Sequence, residues 1–426
     1  MDINRITAYN VLFDIEKNGA YSNIELNKQI SLLSPDSPAF VRELVYGVTE
    51  NRLYIDYILS QLIAKGLRGV KKQPLTLLRM GIYQLRFMDS VPEYAAVNET
   101  VNLARKLARG REGFINGVLR GYIKRKNEDF LPDRETDSVH YLSVKYSYAE
   151  WIVKLWIEQY GEEACEAMLA AGNQTPKLSI RVNTMKCDRE SLSEKLKADG
   201  FDIEKGNLSE RVLFVRGMGL LETEEYEKGM FTVQDESSVL AVETLNPQAG
   251  ERIIDMCAAP GGKTLAMAEW MKNSGKIRAY DIYEHKLKLI AKESERLGIS
   301  IIETGEQDGT VFCSALENWA DRVLVDGPCT GLGVIRRKPE IKYRELDDNG
   351  RGLAVKQLEI LNNAAGYVKK GGYLLYSTCT INKLENDFVT NEFISSHPEY
   401  ELELSRQLMP GIDETDGFYI SRFKKK

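Results

Sequence analysis

The stretch that most constrains this chain is E-R-I-I-D-M-C-A-A-P-G-G-K-T at 251–264. A short apolar run, Ile253 and Ile254, ends at Asp255 and breaks into a turn of small residues. An apolar segment of helical character follows, carrying Leu265, Ala266, Met267, Ala268, Trp270 and Met271. Strand, glycine loop and helix in that order form the opening turn of a nucleotide-binding α/β sheet. Gly261 and Gly262 let backbone approach a ligand, and the N–H groups of the new helix attract an anionic part of it. Two readings of the loop stand side by side. Its closing G-K-T matches the end of a phosphate-cradling P-loop, and R-V-L-V-D at 322–326 would serve as the acidic strand of such an NTPase. That motif requires glycine at position 257, where this chain has Cys257, and Pro260 sits in the turn. The loop alone is compatible with a nucleoside cofactor or a phosphate ligand.

From residue 233 onward the pattern is regular α/β. Strands are expected at 252–256, 276–281, 299–304, 321–326 and 372–378, with helices at 264–273, 284–297 and 354–369. Ligands of open α/β sheets sit at the carboxyl ends of the strands, so Asp281, Asp308 and Asp326 are expected to converge on one crevice. Asp281, about twenty residues past the glycine loop, is placed to accept hydrogen bonds from ribose hydroxyls, or to cap the helix that follows. Asp308, in E-Q-D-G, suits an adenine edge or a plain turn. D-G-P-C-T-G-L-G at 326–333 and Y-S-T-C-T at 376–380 put Cys329 and Cys379 at carboxyl ends of core strands. Either cysteine alone suits a buried structural thiol; a pair beside a nucleotide crevice suits reactivity.

Two or three domains follow from 426 residues at a prior of roughly 150 per domain. Residues 1–130 read as all-helical, with apolar residues at three and four spacings such as Leu44, Val45, Val48 and Leu77, Leu78, Ile82, Leu85. The stretch 131–138 reads as a linker, and 139–232 as a small α+β subdomain. Helical pattern resumes in it at Tyr148, and its tryptophans are assigned to core packing. Residues 233–426 form the α/β domain. No apolar run approaches the roughly 20 residues that span a bilayer, so no membrane partner is expected. Six scattered cysteines without a C-x-x-C pair, and three isolated histidines, speak against a disulfide framework or a metal site. The expectation is a cytoplasmic monomer. The net charge of −6 hides an asymmetry: 65–126 holds fourteen Lys/Arg against four Asp/Glu, leaving −16 on the remainder. Such a stretch suits either a phosphate-backbone contact or solvated helix faces.

P-A-F-V-R-E-L-V-Y-G-V at 38–48 and F-I-N-G-V-L-R at 114–120 resemble the NusB family of helical RNA-binding domains. That resemblance implies that the basic stretch faces RNA, with Arg79, Arg86, Arg105, Lys106, Arg109 and Arg120 as candidates. D-M-C-A-A-P-G-G-K-T, D-G-P-C-T-G-L-G and Y-S-T-C-T-I-N-K-L-E-N-D resemble three signature motifs of RNA 5-methylcytosine methyltransferases. With the helical N-terminus, nearly the whole chain is similar to the bacterial RsmB (Sun/Fmu) family acting on 16S rRNA, and D-G-F-Y-I-S-R-F at 416–423 fits that family's final hairpin. The resemblance implies a class I Rossmann-like methyltransferase domain. It implies S-adenosylmethionine held by Cys257, Ala258, Ala259, Pro260, Gly261, Gly262, Lys263, Asp281, Asp308 and Asp326. It further implies Cys379 as nucleophile on cytosine carbon 6, Cys329 assisting product release, and Asp326 hydrogen-bonding the ring nitrogen. Lys263 is expected to orient Asp326 or the substrate. The implied target is carbon 5 of a 16S rRNA cytosine, expected at position 967. Related enzymes with the same motifs act on other rRNA and tRNA cytosines, and a P-loop-like NTPase and a non-catalytic RNA-binding factor remain as alternatives. R-R-K at 336–338, just past the Cys329 loop, is expected close to the target base.

Overall fold

The computed structural model describes residues 2–18, 22–346 and 348–426, without the side chain of Asn23. They form two compact units, Met1–Gln174 with Ile335–Glu345, and Thr175–Val334 with Leu346–Lys426.

The first unit is helical. Helix Pro38–Glu50 starts where the Ser37 hydroxyl accepts the Phe40 N–H (3.4 Å) and Pro38 occupies the first turn. Its Val41, Leu44, Val45 and Val48 share one core with Ile55, Ile58 and Leu59 of Arg52–Leu62 and with Leu77, Leu78 and Ile82 of Lys72–Phe87. Gly47 is required by packing: a Cβ there would lie 1.9 Å from the Tyr83 ring. Two expectations are corrected here. Residues Ser138–Tyr146 form a helix, capped by Asp137 accepting the His140 N–H (2.9 Å), where the sequence ended its linker at 138 and resumed helical pattern only at Tyr148. Nine residues are too few for periodicity to register. This helix, Glu150–Tyr160 and Glu162–Ala171 pack into the first unit. Arg79 is buried against Asp56 (2.7 Å) and Glu16 (2.7 Å), which removes it from the RNA-facing candidates.

Ile335–Glu345 is also built into this unit. The buried Lys342 ammonium donates to the carbonyl of Glu50 (3.1 Å) and to Asn173 Oδ1 (2.5 Å), and burial lowers its pKa to about 7. Tyr343 donates to the carbonyl of Thr49 (2.6 Å), with the Arg52 guanidinium 3.8 Å from its ring centre. Arg336, Arg337 and Lys338 therefore belong to a segment packed with the helical unit.

The second unit holds two sheets. β1 (Leu178–Val182), β2 (Asp202–Lys205), β3 (Val212–Arg216) and β4 (Phe231–Val233) form an antiparallel sheet of order β2-β3-β1-β4. Helix Arg189–Ala198 lies between β1 and β2, capped by Asp188. The larger sheet contains β5 (Arg252–Asp255), β6 (Lys276–Asp281), β7 (Ile302–Glu306), β8 (Ala320–Asp326), β9 (Val368–Thr378), β10 (Tyr400–Leu408) and β11 (Phe418–Lys425). Its order is β10-β11-β9-β8-β5-β6-β7, parallel from β9 to β7, with β11 antiparallel to both neighbours. The inner strands read as continuous apolar runs, Ile253–Ile254 and Val323–Val325, because both faces are covered. The chain steps outward from β5 to β7 and then resumes at β8 on the other side of β5. That reversal opens the crevice in which such sheets bind ligands. The third strand begins at Ile302, later than expected. Ile299 instead closes helix Glu284–Leu297, donating to the Ser294 carbonyl (2.8 Å) after Gly298 turns the chain at φ +75°. No described helix is long and apolar enough to cross a membrane.

Candidate active site

The loop after β5 is held from both sides of the switch point. Met256 N–H donates to the Leu324 carbonyl (3.0 Å), Ala258 N–H to Tyr280 (2.8 Å), and Ala259 N–H to Asp281 Oδ2 (3.1 Å). The Ala259–Pro260 peptide is cis. Gly261 has φ +111°, and a Cβ there would meet Ile290 at 2.8 Å, so glycine is required on two counts. Helix Gly262–Trp270 then presents its first N–H groups, the ladder beginning only with Leu265 N–H to the Gly261 carbonyl (2.9 Å). Cys257 is half-buried, and burial, then the neighbouring carboxylates, hold its thiol well above the ordinary range.

Carboxylates surround this loop. β5, β6 and β8 end on Asp255, Asp281 and Asp326, and Asp308 lies two residues past β7. Asp281 Oδ1 accepts Tyr283 N–H (3.1 Å) while Oδ2 takes Ala259, so one side chain shapes both loops and still has lone pairs for ribose hydroxyls. Asp308 Oδ1 accepts the N–H (2.9 Å) and hydroxyl (2.7 Å) of Thr310, which makes it a turn residue whatever else it contacts. Burial pushes Asp255 up to about 7, offset in part by the Thr264 hydroxyl (2.7 Å). This donor set fits S-adenosylmethionine: acceptors for a ribose diol, helix N–H groups for a carboxylate, and acids that tolerate a sulfonium. It opposes a triphosphate, whose charge would meet the same acids.

Beyond the loop, Lys263 Nζ lies 2.7 Å from Asp326 Oδ2. Burial works against the ammonium, but Asp326 outweighs it and raises its pKa; the Cys379 sulfur acts in the same direction. Asp326 Oδ1 accepts the Ser377 hydroxyl (2.8 Å), a bond the sequence reading missed although Ser377 lies inside the quoted Y-S-T-C-T. The two sulfurs of Cys329 and Cys379 are 3.3 Å apart. The hydrogen bond to Cys379, then burial, then the charges of Glu385 and Asp326 hold Cys329 well above a thiol's usual range. Either sulfur can donate to the other, and that of Cys379 lies within electrostatic reach of the Lys263 ammonium. The arrangement can supply a thiolate, a neighbouring thiol, and a carboxylate held by a cation and a hydroxyl. Among the described residues no group of three or more His, Cys, Asp or Glu is placed to hold a metal.

Comparisons with known proteins agree with this architecture. Family models match residues 242–424 (16S rRNA methyltransferase RsmB/F), 2–124 (NusB family) and 148–219 (RsmF/B-like ferredoxin-like domain). The probable ribosomal RNA small subunit methyltransferase B of Bacillus subtilis is 39% identical, over 99% of this chain and 98% of that protein. The ribosomal RNA small subunit methyltransferase B of Photorhabdus laumondii is 31% identical over 100% and 99%. The crystal structure of PH0851 superposes with TM-score 0.84 at 26% identity, covering 100% of this chain and 98% of that one. A methyltransferase homologue from Pyrococcus horikoshii gives 0.60 at 26% identity, covering 68% and 99%. The chain belongs to the RsmB/F family of 16S rRNA methyltransferases.

Proposed function

We propose that this enzyme transfers a methyl group from S-adenosylmethionine to carbon 5 of a 16S rRNA cytosine, expected at position 967, through a covalent bond between Cys379 and carbon 6. Carbon 5 of cytosine is too weak a nucleophile to be methylated directly. Addition of the Cys379 thiolate to carbon 6 moves an electron pair into the ring and makes carbon 5 enamine-like. Asp326, held by Lys263 and Ser377, hydrogen-bonds the ring nitrogen where charge develops. S-adenosylmethionine, when bound, supplies the electrophilic methyl group. With Cys379 bonded to carbon 6, Cys329 is the free thiol beside the adduct and gives up its proton to solvent. The resulting thiolate takes the carbon-5 proton, the C5–C6 double bond re-forms, and the C6–S bond breaks with its electrons returning to Cys379. A thiol must approach the ring face, so the target base is unpaired or flipped. The 257–263 loop with Asp281 and Asp308 holds the methyl donor.

The observation that carries this reading is the 3.3 Å pairing of Cys329 and Cys379 beside Asp326. The test compares wild type, Cys379→Ala and Cys329→Ala on unmodified small-subunit rRNA with the methyl donor. Denaturing gels detect protein–RNA adduct and mass spectrometry detects 5-methylcytosine. Cys379→Ala is expected to make neither, and Cys329→Ala to accumulate adduct. Adduct surviving in Cys379→Ala but vanishing in Cys329→Ala reverses the roles, and a wild type that makes no 5-methylcytosine refutes the reading.

A further inference from the structure

The two cysteines come from loops fifty residues apart in sequence, yet their sulfurs lie in contact. Something must hold those loops in register, and one carboxylate reaches both. Glu385 is fully buried. Its Oε2 accepts the Thr330 N–H (2.8 Å) and Gln357 Nε2 (3.1 Å). Its Oε1 accepts the Thr330 hydroxyl (2.5 Å), Asn382 Nδ2 (3.1 Å) and the Thr380 hydroxyl (3.4 Å). Thr330 directly follows Cys329, and Thr380 directly follows Cys379. The two threonine hydroxyls are 2.9 Å apart, closing a ring around the carboxylate. Gln357 also donates to the Pro328 carbonyl (2.8 Å), and Tyr376 donates to the backbone carbonyl of Glu385 (2.6 Å), so the clamp itself is held.

Burying a carboxylate is expensive, and the five donors here are neutral. Burial accordingly raises the Glu385 pKa against the opposing pull of Thr330, Asn382 and Gln357. A stability role alone would be served as well by an apolar side chain. What an apolar residue cannot supply is two acceptor atoms that bind the neighbours of both cysteines at once.

We propose that Glu385 is a positioning residue that sets the separation of Cys329 and Cys379 by tying Thr330 and Thr380 to one carboxylate. The inference rests on the two-cysteine reading above. It assigns Glu385 no contact with substrate or cofactor.

The test uses the full chain as Glu385→Ala and Glu385→Gln, with Thr330→Val replacing the alanine variant should that one not fold. Glutamine keeps one acceptor and the side-chain volume. Glu385→Ala is expected to lower kcat about 100-fold, the scale of a misplacement near 1 Å, with KM for rRNA and thermal stabilisation by the methyl donor changed less than about twofold. Glu385→Gln should recover at least about tenfold of that loss. A second readout does not depend on methylation: alkylation of Cys379 by iodoacetamide against pH, followed by peptide mass spectrometry. A midpoint moved in Glu385→Ala supports positioning. A folded Glu385→Ala with wild-type kcat and an unmoved midpoint overturns it, as does a matched fall in kcat and stability without rescue by glutamine. A wild type without 5-methylcytosine would sink the functional reading instead, leaving the alkylation midpoint to decide the role of Glu385.

Discussion

Asp255 closes β5 as a fully buried carboxyl group, and its titration is a property of the residue and its immediate surroundings. Burial pushes its pKa up to about 7, from roughly 3.9 in an unfolded chain. Between those values the folded state binds more protons than the unfolded one, so this group makes stability fall as pH rises through that window. Protonation therefore favours the fold below about pH 4, and the benefit is gone above about pH 7. Asp255→Asn should remove that dependence. Melting temperatures at pH 5 and pH 8 check this: relative to wild type, the variant should gain more at pH 8. An equal difference at both pH values would place the titration elsewhere. Asp255 was legible as a strand end, because apolar residues before it and small residues after it mark the boundary. Its burial was not, since that depends on what β8 and helix Gly262–Trp270 bring around it.

At the scale of elements, β1 of the smaller sheet is bound to helix Gly262–Trp270, which follows the glycine loop after β5. Arg181 donates to both oxygens of Glu269 (2.9 and 2.7 Å) and to the Gly262 carbonyl (3.0 Å), and it also bonds Gln234. Both charged side chains are fully buried. Removing one member of such a pair strands the other. Arg181→Met should therefore cost about 3–5 kcal/mol, and Arg181→Met with Glu269→Met together should recover most of it. Urea unfolding of the single and double variants measures this, and additive losses would contradict it. Helix and strand were each readable from local pattern. The bond joining them spans 88 positions, and no periodicity reports a contact at that distance. The late start of β7 has a more local cause, the helix end that Ile299 completes.

Across the whole molecule, charge is uneven, and the structure sorts the basic stretch by partner. Arg79 is spent on Glu16 and Asp56 within the helical core. Arg105, Lys106, Arg109 and Arg120 are exposed; Arg105 and Arg120 bond the neutral side chains of Asn102 and Asn116. Replacing Arg105, Lys106 and Arg109 by alanine should weaken rRNA binding and reduce the slope of log affinity against log salt by about 0.7–0.9 for each phosphate no longer neutralised. Arg79→Ala should instead lower the melting temperature and leave that slope unchanged. Filter binding between about 50 and 200 mM salt separates the two, and an unchanged slope in the triple variant would remove this surface from RNA contact.

What the amino-acid sequence determined by itself was local. Turn chemistry and periodicity over a few residues marked the strand–loop–helix at 251–271, the strand ends carrying Asp281, Asp326, Cys329 and Cys379, and most helices of the first unit. Those signals arise from backbone hydrogen bonding and side-chain alternation within about four positions. Tertiary structure alone decided the strand order that opens the crevice, the 3.3 Å approach of the two sulfurs, the clamp at Glu385, the burial of Arg79, and the packing of Ile335–Glu345 into the helical unit. Each of these depends on which distant segments share a core. That choice is set by the summed burial and pairing of many residues, and no single stretch of sequence carries it.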